Sequence, residues 1–128
     1  MMKDAPDHLD ADLILKLYDL RREESLRAAR EKLTSEFWPK NAKEAVAVTA
    51  HEHPLNRTYR QVSTYWEMVY RMARHGIIHG DFLVENNGEG LFFFARAEPW
   101  LAEIRRAASG RSFRNTEWVA REILEFLG

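Results

Sequence analysis

The chain has no cysteine, so disulfides and thiolate metal ligands are excluded, and the composition suits a reducing cytoplasm. An excess of charge of one sign is also missing. The 19 basic side chains face 20 acidic ones, for a formal net charge of −1. That is not the overall field expected of a nucleic-acid- or membrane-binding chain, and neither partner is expected here. No apolar run approaches the roughly 20 residues that a membrane span needs. The N-terminal MMKDAPDHLDAD is polar and acidic, unlike a secretory leader. Internal repeats and low-complexity tracts are absent too. What remains is 128 residues, the size of one domain, able to bury roughly two-thirds of its unfolded surface without staples.

The strongest pattern present is Asn56–Ile78, NRTYRQVSTYWEMVYRMARHGII. At about 100° per residue, Thr58, Val62, Tyr65, Trp66, Val69, Met72 and Ala73 fall on one helical face, with Met68 and Tyr70 at its flanks. An arc that wide needs neighbours on several sides, so this helix is expected at the centre of a bundle. Gly76 stands where a left-handed residue ends a helix most cheaply, and Ile77 where the accompanying apolar contact belongs.

Around that helix the chain reads as further helices. Residues 1–8 lack a pattern and form a frayed, disordered lead; the bundle domain runs over 9–128. Asp10 or Asp12 caps a helical stretch reaching Trp38. Its apolar face changes midway: Leu9, Leu13, Leu17 and Leu20 share one face, and Leu26, Ala29, Leu33 and Phe37 another, rotated by roughly 150°. Either the helix breaks near Arg21–Glu24 or one long helix serves two neighbours. RREESLRAAR holds no glycine or proline, and its Glu23/Arg27 and Arg27/Glu31 spacings favour continuing. A continuous helix leaves one face for a second copy of the chain, so a homodimer is expected, with Leu9, Leu13, Leu17 and Leu20 in its interface. Trp38 and Phe92 fall off the buried stripes and join that interface list.

Pro39 stops this stretch. Asn41 and Glu44 imitate a capping box before AKEAVAVTA, and Pro54 punctuates the approach to the central helix. Beyond Gly76, residues 82–95 read either as a hairpin or as helix. Leu91–Phe94 does not alternate, whereas Phe93, Phe94, Ala97, Trp100, Leu101, Ile104 and Ala108 stay in helical phase. A short helix over Asp81–Glu85 and a longer one from Gly90 to Ala108 follow, kinked or restarted at Pro99. Asn115 or Thr116 caps a last helix with Val119, Ile123, Phe126 and Leu127 inward. The fold class is all-α: one bundle of five to six helices around the central amphipathic helix.

Few residues suggest chemistry. HGDFLVEN, His79 to Asn86, resembles the H-G-D-x-x-x-x-N catalytic loop of aminoglycoside phosphotransferases and kinase-like enzymes. The resemblance would make Asp81 a base and Asn86 a metal ligand. It stops there. No Gly-rich phosphate loop lies upstream, no metal-binding Asp appears between Leu91 and Ala108, and the plainer role of Asp81 is to cap a short helix. The histidines are weak metal candidates: His51 and His53 in a loop, His75 and His79 four apart. Gly76 breaks the helix between the latter two. Glu67 falls on the polar face with Arg71 four residues on, which reads as a solvated ion pair. Arg105, Arg106, Arg111 and Arg114 form a basic patch around Gly110, with Trp118 nearby and Glu98, Glu103 and Glu117 diluting it.

Tyr65-Trp66-Glu67, Ala73-Arg74-His75-Gly76-Ile77-Ile78, Asn87-Gly88 and Glu98-Pro99-Trp100-Leu101-Ala102-Glu103-Ile104-Arg105 resemble a bacterial family known only as a domain of unknown function. Its members are small helical proteins with an aromatic–Glu helix, a basic–Gly–Ile/Leu stop and a Pro-kinked aromatic helix. The resemblance covers Leu13 to Ile104 and implies an all-helical fold. It brings no activity, cofactor or catalytic residue. Some similar proteins carry an N-terminal membrane helix; none is read here. The leading functional reading is a non-enzymatic cytoplasmic protein that works through contacts with itself or another protein, without a cofactor. The alternative is a small-molecule- or metal-binding helical protein, hydrolytic or not, with a site near His75, His79 and Asp81.

Overall fold

Helix α1 (His8–Arg21) starts from a capping box: the Asp7 carboxylate accepts the N–H groups of Leu9 and Asp10, and the Asp10 carboxylate accepts that of Asp7. This is the first helix of a computed structural model that describes residues 3–124. It begins one residue inside the segment read as a lead. Neither Asp10 nor Asp12 is its cap, because Asp7 takes that place.

The chain breaks after Arg22. Glu23 is extended (φ −56°, ψ 136°), and its carboxylate accepts the N–H groups of Ser25 and Leu26, each at 3.0 Å, to open α2 (Glu24–Glu36). The continuous helix expected over this stretch is therefore two. A carboxylate that satisfies orphan donors does the work usually assigned to glycine or proline. Arg27 makes no ion pair with Glu23 or Glu31. Leu26, Ala29, Leu33 and Phe37 are all buried, as their spacing required.

Helix α3 (Ala42–Ala47) is capped by the Asn41 side chain, which accepts the Glu44 N–H at 2.8 Å. Helix α4 (Asn56–Arg74) then packs against α2 and, among the helices that follow it, most of all against the last. Its buried residues include Tyr59, Val62, Tyr65, Trp66, Val69, Tyr70 and Ala73. This arc is turned by roughly 50° from the expected one, toward Tyr59 and Tyr70 and away from Met72. Two contacts account for the turn. The Tyr59 ring lies 5.7 Å from that of Phe37, and the Tyr70 hydroxyl donates to the Asn87 carbonyl at 2.7 Å.

Gly76 has φ 72° and ends α4 as expected. Its N–H bonds the Ala73 carbonyl and the Ile77 N–H bonds the Met72 carbonyl, the paired bonds of a Schellman stop. The apolar contact differs from expectation: Ile77 is exposed and Ile78 is buried.

Helices α5 (Gly80–Asn86) and α6 (Glu89–Ala97) occupy the stretch for which a hairpin was the alternative; no strand is found among the described residues. At Pro99 the helix restarts: a 3-10 turn (Glu98–Trp100) leads into α7 (Leu101–Ala107). Helix α8 (Arg114–Glu122) follows Phe113, whose φ of 60° is the only positive value outside glycine among the described residues. That turn drives the Phe113 ring inward, 5.8 Å from Phe94 and 6.2 Å from Tyr59. Phe126 and Leu127 lie outside the described residues. With α1 and α2 separate, and α6 and α7 separate, the described residues form eight α-helices where five to six were expected.

Candidate functional site

Two of the candidate histidines, His53 and His79, are engaged by backbone. His79 caps α5, its Nδ1 accepting the Phe82 N–H at 3.1 Å. Asp81, expected as that cap, is instead exposed in the first turn. Asn86 donates its side-chain amide to the Phe82 carbonyl within the same helix. The H-G-D-x-x-x-x-N stretch is thus one short helix that caps and braces itself. His75 sits exposed at the end of α4, His51 is exposed in the loop before it, and His53 Nδ1 accepts the Leu55 N–H. Among the described residues, no three His, Asp or Glu side chains gather where a metal ion would bind.

The residue that organises this corner is Asp10, which the sequence offered only as a cap. It is fully buried and accepts the His79 N–H at 2.9 Å, the Asp7 N–H at 2.8 Å and a Lys3 ammonium contact at 2.9 Å. Burial pushes its pKa up. The hydrogen bonds from Lys3, Asp7 and His79 outweigh that and hold it at about 2. Because Asp10 must face inward, α1 presents Asp10, Ile14 and Leu17 to the core. The anticipated leucine interface is consequently split. Leu17 is buried in the chain's own core and Leu13 packs partly against it, while Leu9 and Leu20 stay exposed. Leu15 and Tyr18 are exposed on the other shoulder of the helix.

A second apolar surface joins α2 and α6. Trp38 is 59% exposed, with the Arg96 guanidinium 3.5 Å from its ring centroid. Phe92, one turn before Arg96 on α6, is 69% exposed.

The third surface lies where α4 meets the turn before α8. Glu67 is not a solvated partner of Arg71. Its Oε1 accepts the Asn115 N–H (3.0 Å) and side-chain amide (3.2 Å), and its Oε2 accepts the Thr116 N–H (2.7 Å) and hydroxyl (2.6 Å). A carboxylate on α4 thereby caps α8, so neither Asn115 nor Thr116 is the cap that the sequence suggested. Around this clasp two hollows of about 450 and 380 Å³ share Glu67, Arg71 and Arg111. Arg60 lines the first; Arg74, His75 and Arg114 line the second. Arg74 donates to the Asn115 side-chain oxygen at 3.2 Å. Arg105, placed by sequence in the basic patch, is instead bound to Glu117 at 2.8 Å, and Arg106 lies near Glu103. The groove thus exchanges Arg105 and Arg106 for Arg71 and Arg74, which only the α4–α8 packing brings to Arg111 and Arg114.

Fold and surface together define a small all-helical domain with exposed apolar shoulders and one arginine-lined groove. Residues 6–123 match the family described as Domain of unknown function (DUF4760), and the chain belongs to that family. Neither a curated protein nor a solved structure matches it. No helix among the described residues is long and apolar enough to cross a membrane.

Proposed function

We propose that the protein works by contact, first of all with a second copy of itself, and not as an enzyme. The observation that carries this reading is α1. Leu9, Leu15, Tyr18 and Leu20 are each more than half exposed, on both shoulders of a helix whose buried stripe is narrow. The break at Glu23 removes the geometrical need for a partner that a continuous helix would have imposed, so the support now rests on this exposure. Trp38 and Phe92 offer a second apolar surface. The cysteine-free composition and the family resemblance support a bacterial, cytoplasmic setting.

Light scattering on the purified chain tests it. Two 15.0 kDa chains give a mass of about 30 kDa if the α1 surface pairs with its copy. Leu9→Lys with Leu20→Lys is then expected to halve that mass without unfolding the protein, since both side chains face outward. A monomer at tens of micromolar for the unsubstituted chain overturns self-association.

A further inference from the structure

The two joined hollows between α4 and the turn before α8 are lined by five arginines and one glutamate. That concentration stands in a chain whose 19 basic and 20 acidic residues nearly cancel. The one acid, Glu67, is already taken up by four donors from Asn115 and Thr116. Some arginines elsewhere are neutralised by carboxylates: Arg30 by Glu89 at 2.7 Å, Arg105 and Arg121 by Glu117 at 2.8 and 2.7 Å. In the groove the guanidinium groups of Arg71, Arg111 and Arg114 make no hydrogen bond or ion pair among the described residues. Five cations gathered around one carboxylate leave an excess of like charge, and an anion placed among them relieves that repulsion.

We propose that this groove binds a small, multiply charged phosphorylated metabolite of nucleotide size. Guanidinium forks match phosphate oxygens in pairs, and several arginines converging on one hollow suit a ligand with more than one phosphate. The hollows fall in the size range of small-molecule sites. The larger one adds uncharged lining residues, among them Ser63, Thr64, Tyr59 and Phe113, for the neutral body of the ligand. A nucleic-acid strand is disfavoured because the basic track does not continue. Beyond Arg74 and Arg114 the neighbouring hollow sets Glu117 and Glu122 against a single further cation, Arg121, itself paired with Glu117. This site is separate from the α1 surface and does not depend on self-association.

Calorimetry at low salt on the full chain, with pyrophosphate, ATP and adenosine as probes, tests the proposal. Arg71→Ser with Arg111→Ser is the informative variant: both side chains are exposed and unpaired, so circular dichroism should show an unchanged fold. Pyrophosphate and ATP are expected to bind and adenosine not to. The double variant should weaken both polyanions by roughly tenfold or more. Absence of heat from either polyanion at millimolar concentration overturns the site, as does equal affinity in the variant. Tighter binding of a single-stranded oligonucleotide, strengthening with its length, overturns the small-ligand assignment in favour of nucleic acid.

Discussion

At Gly90 the backbone of α6 passes so close to α4 that an ideal Cβ would lie 2.6 Å from Tyr70 Cε2, and 2.7 and 2.9 Å from Trp66 Cγ and Cβ. On an exposed helix, glycine to alanine adds up to about 1 kcal/mol of stability. Here the new methyl meets two large buried rings, themselves stacked with centroids 5.5 Å apart. Overpacking of this kind costs about 1–3 kcal/mol. Gly90→Ala is expected to lower stability by that amount in urea denaturation; unchanged or increased stability would show that α6 slides freely over α4. The sequence marked Gly90 only as a helix start. Its close approach was illegible because the partners, Trp66 and Tyr70, lie some twenty residues upstream. Gly76, by contrast, was legible, since its left-handed role follows from its own position after an apolar stripe.

Among the elements, α8 depends most plainly on a distant residue. Its first turn is satisfied by Glu67 from α4, through hydrogen bonds that join residues 48 and 49 positions apart. Hydrogen bonds to a charged acceptor are worth more than neutral ones, and losing a cap typically costs about 1 kcal/mol. Glu67→Ala removes the whole clasp and is expected to cost about 2 kcal/mol, with the amides of Asn115 and Thr116 losing hydrogen-exchange protection first. If Asn115 or Thr116 capped α8 locally, as the sequence suggested, both readings would stay unchanged. The break between α1 and α2, by contrast, is made locally, by the Glu23 carboxylate on the N–H groups of Ser25 and Leu26. Glutamate is an uncommon N-cap, so Glu23 gave no stop signal, although the rotated apolar faces on either side did.

For the molecule as a whole, α1 is tied down through Asp10 to the start of α5 and to Lys3. An Asp ordinarily titrating near 3.8 and held at about 2 in the folded protein adds stability above about pH 4. That contribution is lost as pH falls toward 2. Glu117 and Glu23 are also held low, the first by Arg105 and Arg121 against the pull of burial, the second by the N–H groups of Ser25 and Leu26. Comparison with Asp10→Asn isolates the Asp10 share. The variant's melting temperature is expected to be lower at pH 6 and to fall less steeply between pH 4 and 2. Parallel curves for the two proteins would mean that Asp10 does not hold α1. At this scale the helical class was legible from periodicity alone. The arginine groove was half legible: Arg111 and Arg114 stood out by proximity in sequence, while Arg71 and Arg74 look like ordinary solvent-facing cations until α4 meets α8.

The borrowed cap of α8 also sets an order of events. Nine residues are too few to hold a helix alone in water, and the amides of Asn115 and Thr116 are satisfied only by Glu67. The segment is therefore expected to stay unwound until α4 has formed and presents Glu67. Because α4 precedes α8 along the chain, a ribosome delivers the acceptor well before the donors that need it. The last helix closes onto a platform already built, and the groove comes into being only at that step.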